Sequence, residues 1–444
     1  MGRKIGWMVW LFPLLAYSLV SYESMIIARE KNTSSPFCSQ EVVFVSPFQM
    51  EEGVVVEAGL GSSGLKIETK WRFRWQTDKD KLYDHEWWEG KRDFRLFPEE
   101  LFFEGMYHFQ YLLTLGKKKW DMSEGFFFKP MLLWADDVAY TRYGEGFYHG
   151  RLEGRWRGVS VFFYGVPSRF DAGATNMWYD CFQNGTTNWL LGGGFSFLVD
   201  GWIVKGLTLW EVPEKEGKWV SKYAFSSAFS WERWTLYGEA AYKNGKSLMV
   251  PRFDGKEITN IYGMPNEITN IAPAEYRFEE KIDSYYSMFF EGLVGVRVEL
   301  PGEITSRAEV YYRQRSWEET DRASYWEGVR YAKERYGNTL YQVGVDIPRT
   351  YLLLAAANLS LDTYSPWVVS FGLTKVFGDH WTIDQGLLVE MATYSWQWSG
   401  MVTWKSLSLW EVKITVTIGG GKEESLFGSL PQGKKVTLEL ISAL

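Results

Sequence analysis

The sequence predicts an all-β chain, a transmembrane antiparallel up-and-down β-barrel of about 18 strands with a short helix in one long loop. Three observations predict it. Apolar and charged residues alternate with a period of two along many segments, which places them on opposite faces of strands. The apolar rows are heavy in Trp, Tyr and Phe, which make up 18% of the 444 residues and include 24 Trp. A basic and then apolar N-terminus precedes them all, in the pattern of an export signal.

In chain order, Arg3 and Lys4 supply the positive start and Ile5 to Val20 the apolar stretch. Ala16-Tyr17-Ser18 puts small residues at the −3 and −1 positions, so residues 1–18 are expected to be a signal peptide cleaved after Ser18. The stretch is roughly 16 residues, short of the ~20 that a spanning helix needs, which weighs against an uncleaved anchor. Beyond Val20 no apolar run approaches that length, so a passage through a membrane must use strands. Residues 19–40 are expected to form a periplasmic segment. Residues 41–444 are expected to form one barrel whose first strand opens at 41–46.

The clearest strand is Leu65–Gln76. Leu65, Ile67, Thr69, Trp71, Phe73 and Trp75 share one face, and Lys66, Glu68, Lys70, Arg72, Arg74 and Gln76 the other. The same alternation runs through 103–113, 233–243, 285–300, 304–315 and 410–418. These segments are long for globular strands, which average five or six residues, and match the roughly 9–11 of a tilted strand crossing a bilayer. A Lys or Arg facing lipid at mid-membrane costs roughly 2–4 kcal/mol, so the charged rows must face the lumen. The predicted pore lining is therefore Lys66, Lys70, Arg72, Arg74, Arg151, Arg155, Arg157, Arg233, Glu239, Arg297, Arg307, Glu309, Arg313 and Arg315. Lys243, Glu68, Glu153, Glu291 and Glu299 share those rows. The predicted lipid-facing girdle is Trp71, Phe73, Trp75, Tyr107, Phe109, Tyr111, Trp234 and Trp410. The lumen so drawn is basic although the chain carries a net charge of −7. Two readings stay open: a water-filled pore with anion preference, or a wall stiffened by internal salt bridges.

Short turns are expected at 61–64, 200–201, 301–302 and 399–400, and long links at 77–100, 167–187, 244–283, 316–344 and 419–434. With 41–46 as the first strand, every long link follows an odd-numbered strand. Thr320 to Tyr336 reads as a helix, with Ser324 and Glu327 as a capping box and Gly337 as its stop. Glu257-Ile258-Thr259-Asn260-Ile261 recurs ten residues later as Glu267-Ile268-Thr269-Asn270-Ile271, a loop duplication.

The acidic balance argues against nucleic acid as a partner. Cys38 and Cys181 are either a disulfide, allowed in an exported protein, or two free thiols. Four histidines, His85, His108, His149 and His380, and no paired-cysteine motif make a His or Cys metal site unexpected; no cofactor is expected. Phosphate-binding loops, nucleophile elbows and zinc-protease motifs are missing from the sequence, so no enzyme activity is expected.

The signal-like N-terminus, Trp71-Arg72-Phe73-Arg74-Trp75 and the one-sided long loops resemble porin-type outer-membrane β-barrels of bacteria with a Gram-negative-type envelope. The resemblance is one of pattern and covers nearly the whole mature chain. It implies passive transport of small hydrophilic solutes, contact with membrane lipid and, often, assembly as a homo-oligomer. One departure is plain: such barrels usually end in an aromatic, commonly Phe, whereas this chain ends Ile441-Ser442-Ala443-Leu444. Two other readings of the aromatic content remain. One is a structural or adhesive barrel whose loops bind partners. The other is a secreted soluble β-protein that binds or cuts polysaccharide.

Overall fold

A computed structural model describes residues 15–32, 34–37, 48–62, 64–76, 94–108, 110–120, 122–131, 133, 147–167, 189–211, 220–243, 249–252, 277–280, 288–336, 352, 355–356, 359–406, 410–430 and 432–443. The chain runs through β1 (Leu15–Lys31), β2 (Phe48–Ser62), β3 (Leu65–Gln76), β4 (Phe94–Tyr107), β5 (Tyr111–Lys118), β6 (Phe147–Trp156), β7 (Val159–Pro167), β8 (Trp189–Val199), β9 (Trp202–Glu211), β10 (Val220–Trp231) and β11 (Trp234–Lys243). A small ribbon of β12 (Met249–Arg252) and β13 (Arg277–Glu280) follows, outside the main sheet. Then come β14 (Phe289–Leu300), β15 (Ile304–Arg313), helix α1 (Glu319–Tyr336), the single turn α2 (Leu361–Tyr364), β16 (Trp367–Phe377), β17 (Trp381–Glu390), β18 (Ser395–Lys405), β19 (Trp410–Gly420) and β20 (Gln432–Ala443).

Eighteen of these strands form one antiparallel sheet. It closes because β1 pairs with β2 on one side and β20 on the other, from Ser21↔Ala443 to Lys31↔Gln432. Closure satisfies every edge that an open sheet would leave with bare N–H and C=O groups. A two-sheet sandwich is not the architecture.

The links sort by end. On one end they are 63–64, 108–110, 157–158, 200–201, 232–233, 301–303, 378–380 and 406–409. On the other they are 32–47, 77–93, 119–146, 168–188, 212–219, 244–288, 314–366, 391–394 and 421–431. The tightest hairpins use left-handed backbone at both corners, with φ of 45° and 83° at Asp200 and Gly201, and 42° and 85° at Arg157 and Gly158. That twist matches the right-handed twist of the flanking strands.

The expected strand number is found, but the first strand is not the expected one. The barrel opens at Leu15, so residues 19–31 are wall and not a separate periplasmic segment. The alternation in β1 is weak because both of its faces are largely uncharged, which let it pass for an export stretch and its flank. The 41–46 segment lies outside the described residues. So do Phe109, Cys38, Cys181, His85 and the duplicated pentapeptides of 257–271. Ser399-Gly400 is not a turn: it sits mid-strand in β18, where Gly400 pairs with Gln385 and Val416 and a ring, Trp398, covers its missing side chain. Helix α1 starts earlier than the proposed box, with Ser324 inside it. In its first turn the Asp321 carboxylate accepts the N–H of Glu318, the residue before the helix, at 3.0 Å, the returning half of a capping box.

Rings crowd the outer face near both ends of the strands. At the short-link end Tyr107, Trp156, Trp202, Trp231, Trp234, Trp381 and Trp410 are exposed. At the long-link end Tyr242, Phe290, Tyr312 and Trp367 form a chain, with centroids 5.3, 6.1 and 4.6 Å apart in turn. Trp234 and Tyr242 lie eight residues apart on β11. At ~3.3 Å per residue and a tilt near 40° that is about 20 Å, close to the apolar band of an outer-membrane barrel. Between the two rings Leu236 and Val294 stand exposed at 58% and 69%. Trp71 and Phe73 are half-buried mid-strand, so they belong to this band and not to a ring. Among the described residues no helix is long and apolar enough to cross a membrane.

Candidate functional site: a constricted lumen

The link 119–146, absent from the expected long links, supplies the central feature. Its described part turns into the barrel and packs on the inner wall. Trp120, Met122, Met131 and Leu133 join Phe162, Tyr164, Leu190, Leu207, Leu209, Ala224 and Ala241 in one buried cluster. The inward faces of β7 to β10 are thus largely apolar and are covered by chain, and none of the residues predicted to line the pore lies on these four strands. Phe128 stacks on Tyr311 at 4.3 Å and joins Ala228, Tyr237, Leu293 and Val368 in a second cluster. The tight path leaves no space beside Gly125, where a Cβ would lie 1.9 Å from the Phe128 carbonyl oxygen.

Two wall carboxylates hold this segment by its backbone. Glu239 of β11 accepts the Ser123 hydroxyl at 2.7 and 2.8 Å and the Gly125 and Met131 N–H groups at 3.0 and 3.3 Å, with the Glu124 N–H closer still. Glu309 of β15 accepts the Phe126 and Phe127 N–H groups at 2.5 and 3.0 Å. It also accepts the hydroxyls of Tyr237 at 2.8 Å and Ser370 at 3.3 Å. Lys205 of β9 donates to the Met122 carbonyl at 2.9 Å and to the Glu124 carboxylate at 2.5 Å. A turn of chain with no ladder partner must place its N–H groups somewhere, and buried carboxylates are strong acceptors for them. Glu239 and Glu309, predicted to line the pore, are wall residues turned into anchors.

The other predicted lining residues fall into three groups. Most sit beside acids. Lys66 pairs with Glu68 and Arg72 with Glu23. Glu153 takes Arg151 at 3.3 Å and Arg155 at 2.5 Å. Glu291 takes Lys243 at 2.8 Å and Arg313 at 3.1 Å. Arg151 also lies 4.8 Å from the Trp120 ring centre, with His149 stacked on that ring at 5.6 Å. Lys70 faces Glu57 and Glu100 across its two ladders. A second group lies off the wall. Arg157 and Arg233 occupy exposed hairpin turns at the short-link rim, and Arg315 follows the end of β15. A two-residue turn with glycine, as at Arg157-Gly158, consumes positions that simple alternation would count as strand. The third group is Arg297 and Arg307, register partners on β14 and β15 without an ion-pair partner among the described residues. The Arg74 and Trp75 side chains lie outside the described residues.

Above the long-link end lies a further apolar cluster. Phe37, Val250, Trp317, Tyr325, Trp326, Val329, Leu352, Tyr364, Leu426 and Phe427 pack together around α1. Trp326 Nε1 donates to the Tyr364 hydroxyl at 3.0 Å, and the Tyr325 hydroxyl donates to the Ala355 carbonyl at 2.9 Å. Burial pushes the Tyr364 phenol above its ordinary value. Asn32 Nδ2 donates to the Gly428 and Leu430 carbonyls at 2.8 and 3.0 Å, tying the end of β1 to the β19–β20 link where the barrel closes. Among the described residues no cluster of His, Cys, Asp or Glu has the arrangement of a metal site.

No family model matches the chain, and no curated protein matches it. Solved structures do. OccAB1 of Acinetobacter baumannii superposes with a TM-score of 0.55 at 9% identity, covering 97% of this chain and 96% of that one. OccAB4 of the same organism gives 0.54 at 8%, covering 97% and 98%. A BenF-like porin from Pseudomonas fluorescens Pf-5 gives 0.51 at 9%, covering 97% and 98%. At such identities the likeness shows a common fold, the closed porin-type barrel, over nearly the whole length of both chains.

Proposed function

We propose that the chain is an outer-membrane channel for passive diffusion of small hydrophilic solutes, with a preference for anions. The observation that carries this reading is the inward segment 122–131, clamped by Glu239 and Glu309 across a closed barrel. A barrel that served only as an anchor or an adhesin would have no use for a charged interior narrowed by a pinned segment. The paired aromatic rings on the outer face support embedding in a bilayer. The porin-type fold of the Acinetobacter and Pseudomonas structures points the same way, as an argument from fold. The preference for anions rests on Arg297 and Arg307, two wall cations without an ion-pair partner among the described residues.

Export through a cleaved N-terminal signal is part of the proposal. Cleavage after Ser18 would keep every residue of β1 that pairs with β20, since that ladder starts at Ser21. Enzymatic chemistry has no part in this reading. Reconstitution into planar bilayers tests it: stepwise conductance with reversal potentials on the anion side is expected. Bilayers that stay sealed at high protein would refute it.

A further inference from the structure

We propose that the outward face of β14 to β18 carries a binding site for one glycerophospholipid with an anionic headgroup, seated near the short-link rim. The inference goes beyond the channel reading and shares with it only the premise that the outer face lies in a bilayer.

Five neighbouring strands build the site from three successive rungs. Nearest the rim stand Ile304, Lys375 and Ile383, in register across β15, β16 and β17. Two residues further along each strand come Ser306, Leu373 and Gln385. The third rung is Val296, Ala308, Phe371, Leu387 and Trp398. The alternation that turns Arg307 and Asp384 inward turns all of these outward. Ser306 and Ala308 are small beside the Phe371 and Trp398 rings, and a groove of about 380 Å³ opens among them in the outer wall.

Hydrocarbon alone asks for no polar group here, yet the site has three. Ser306 and Gln385 flank Leu373 on the middle rung, and among the described residues neither side chain has a hydrogen-bond partner. A hydroxyl or amide left unpaired against hydrocarbon is costly, so a ligand that hydrogen-bonds both is favoured. One rung nearer the rim, Lys375 has no ion-pair partner among the described residues, and its ammonium lies 4.2 Å from the Phe377 ring centre. Its stem thus runs toward the rim, where Trp381 and Trp404, with ring centres 6.4 Å apart, mark the membrane interface. From the rim inward the order is cation, hydrogen-bonding pair, apolar groove. A glycerophospholipid carries its complement in the same order: phosphate, ester groups, acyl chain. Lys375 and Phe371 are four residues apart on β16, about 13 Å of strand, so one molecule spans all three.

The test is native mass spectrometry of the full-length barrel in detergent micelles, titrated with dioleoyl phosphatidylglycerol, dioleoyl phosphatidylcholine and dioleoylglycerol. One phosphatidylglycerol per barrel is expected, held about tenfold tighter than phosphatidylcholine, with dioleoylglycerol weaker than both. Lys375→Gln should weaken phosphatidylglycerol about tenfold and bring it level with phosphatidylcholine. Gln385→Leu should weaken both phospholipids alike. Ala308→Trp fills the groove and should abolish the complex, whereas Ala58→Trp, on the outward face of β2 and outside the groove, should leave it intact. Variants are compared after circular dichroism shows an unchanged barrel. Lipid retention that ignores the headgroup, or that survives both Lys375→Gln and Ala308→Trp, overturns the proposal. So does a dimer of barrels that excludes the lipid and that Ala308→Trp dissociates, since a second copy then fills the groove. Planar-bilayer currents keep the two readings apart. A barrel that conducts but holds no phosphatidylglycerol refutes the site and keeps the channel; one that holds it and passes no current keeps the site and refutes the channel.

Discussion

Glu239 holds more than its place in a row of charges. Four donors from a segment over a hundred positions earlier in the chain converge on it: one hydroxyl and three backbone N–H groups. Truncation to alanine strands those donors, and a buried donor left unsatisfied costs about 1–3 kcal/mol. Glu239→Ala is therefore expected to loosen segment 122–131, raising single-channel conductance and adding open-channel noise. Glu239→Gln keeps a carbonyl acceptor but loses the charge that makes such bonds roughly twice as strong, so it should fall between the two. A Glu239→Ala channel with the parent's conductance and quiet trace would show that the carboxylate is not the anchor. Alternation alone put Glu239 and Glu309 on the inward face. It could not reveal their task, because the partners sit on a distant link that no local pattern joins to β11 or β15. The same holds for Arg297 and Arg307: period two placed them in the lumen, while the missing counter-ions became visible only after the neighbouring strands were paired.

At the scale of elements, legibility followed chemistry. β3, β11, β14, β15 and β19 concentrate charge on one face, so period two separates their faces in the sequence. β7 to β10 carry apolar residues on both faces because segment 119–133 covers their inner side, so period two blurs there. That segment was itself missed as a link, since Trp120, Phe126, Phe127, Phe128 and Leu133 look nothing like a polar loop. An apolar link in a barrel has two places to go, lipid or lumen, and the clamps at Glu239 and Glu309 direct this one inward. Shortening it across 122–131 with a Gly-Ser bridge is expected to enlarge the conductance more than any single substitution, as seen in planar-bilayer steps. The strands make their own prediction. Val294 faces outward, 69% exposed, and pairs with Gly238, midway between Trp234 and Tyr242. Val294→Arg should therefore cost roughly 2–4 kcal/mol in urea unfolding from lipid vesicles, the cost of a charge at mid-bilayer. Thr417→Arg, on the inward face of β19, should be close to neutral. Equal cost at both positions would invert the assignment of faces.

For the molecule as a whole the strand number was legible, because turn residues and hydrophobic period recur at many of the hairpins, although Ser399-Gly400 was misread as a turn and the hairpin at 108–110 was run through as one alternating segment. Where the ring closes was not. β1 had to be recognised as wall, and its pairing with β20 joins residues at opposite ends of the chain. Closure turns many local choices into one enclosed field, and the last prediction belongs to that field. The wall's acids and bases largely match along β3, β6, β11 and β14, so the lumen is not the uniformly basic tube that counting arginines suggests. Among the described residues Arg297 and Arg307, beside the constriction, have no ion-pair partner, and the proposed anion preference is placed on them. Anion preference should then be a local effect, felt by ions only while they pass that point and only within a screening length of it. That length is about 10 Å at 0.1 M salt and about 3 Å at 1 M. Reversal potentials under a fixed KCl ratio should show clear anion preference near 0.1 M and little near 1 M. The double variant Arg297→Gln/Arg307→Gln should be close to unselective at both. Cation preference at 0.1 M in the parent barrel, or selectivity that ignores ionic strength, would mean that the current is governed by some other part of the wall.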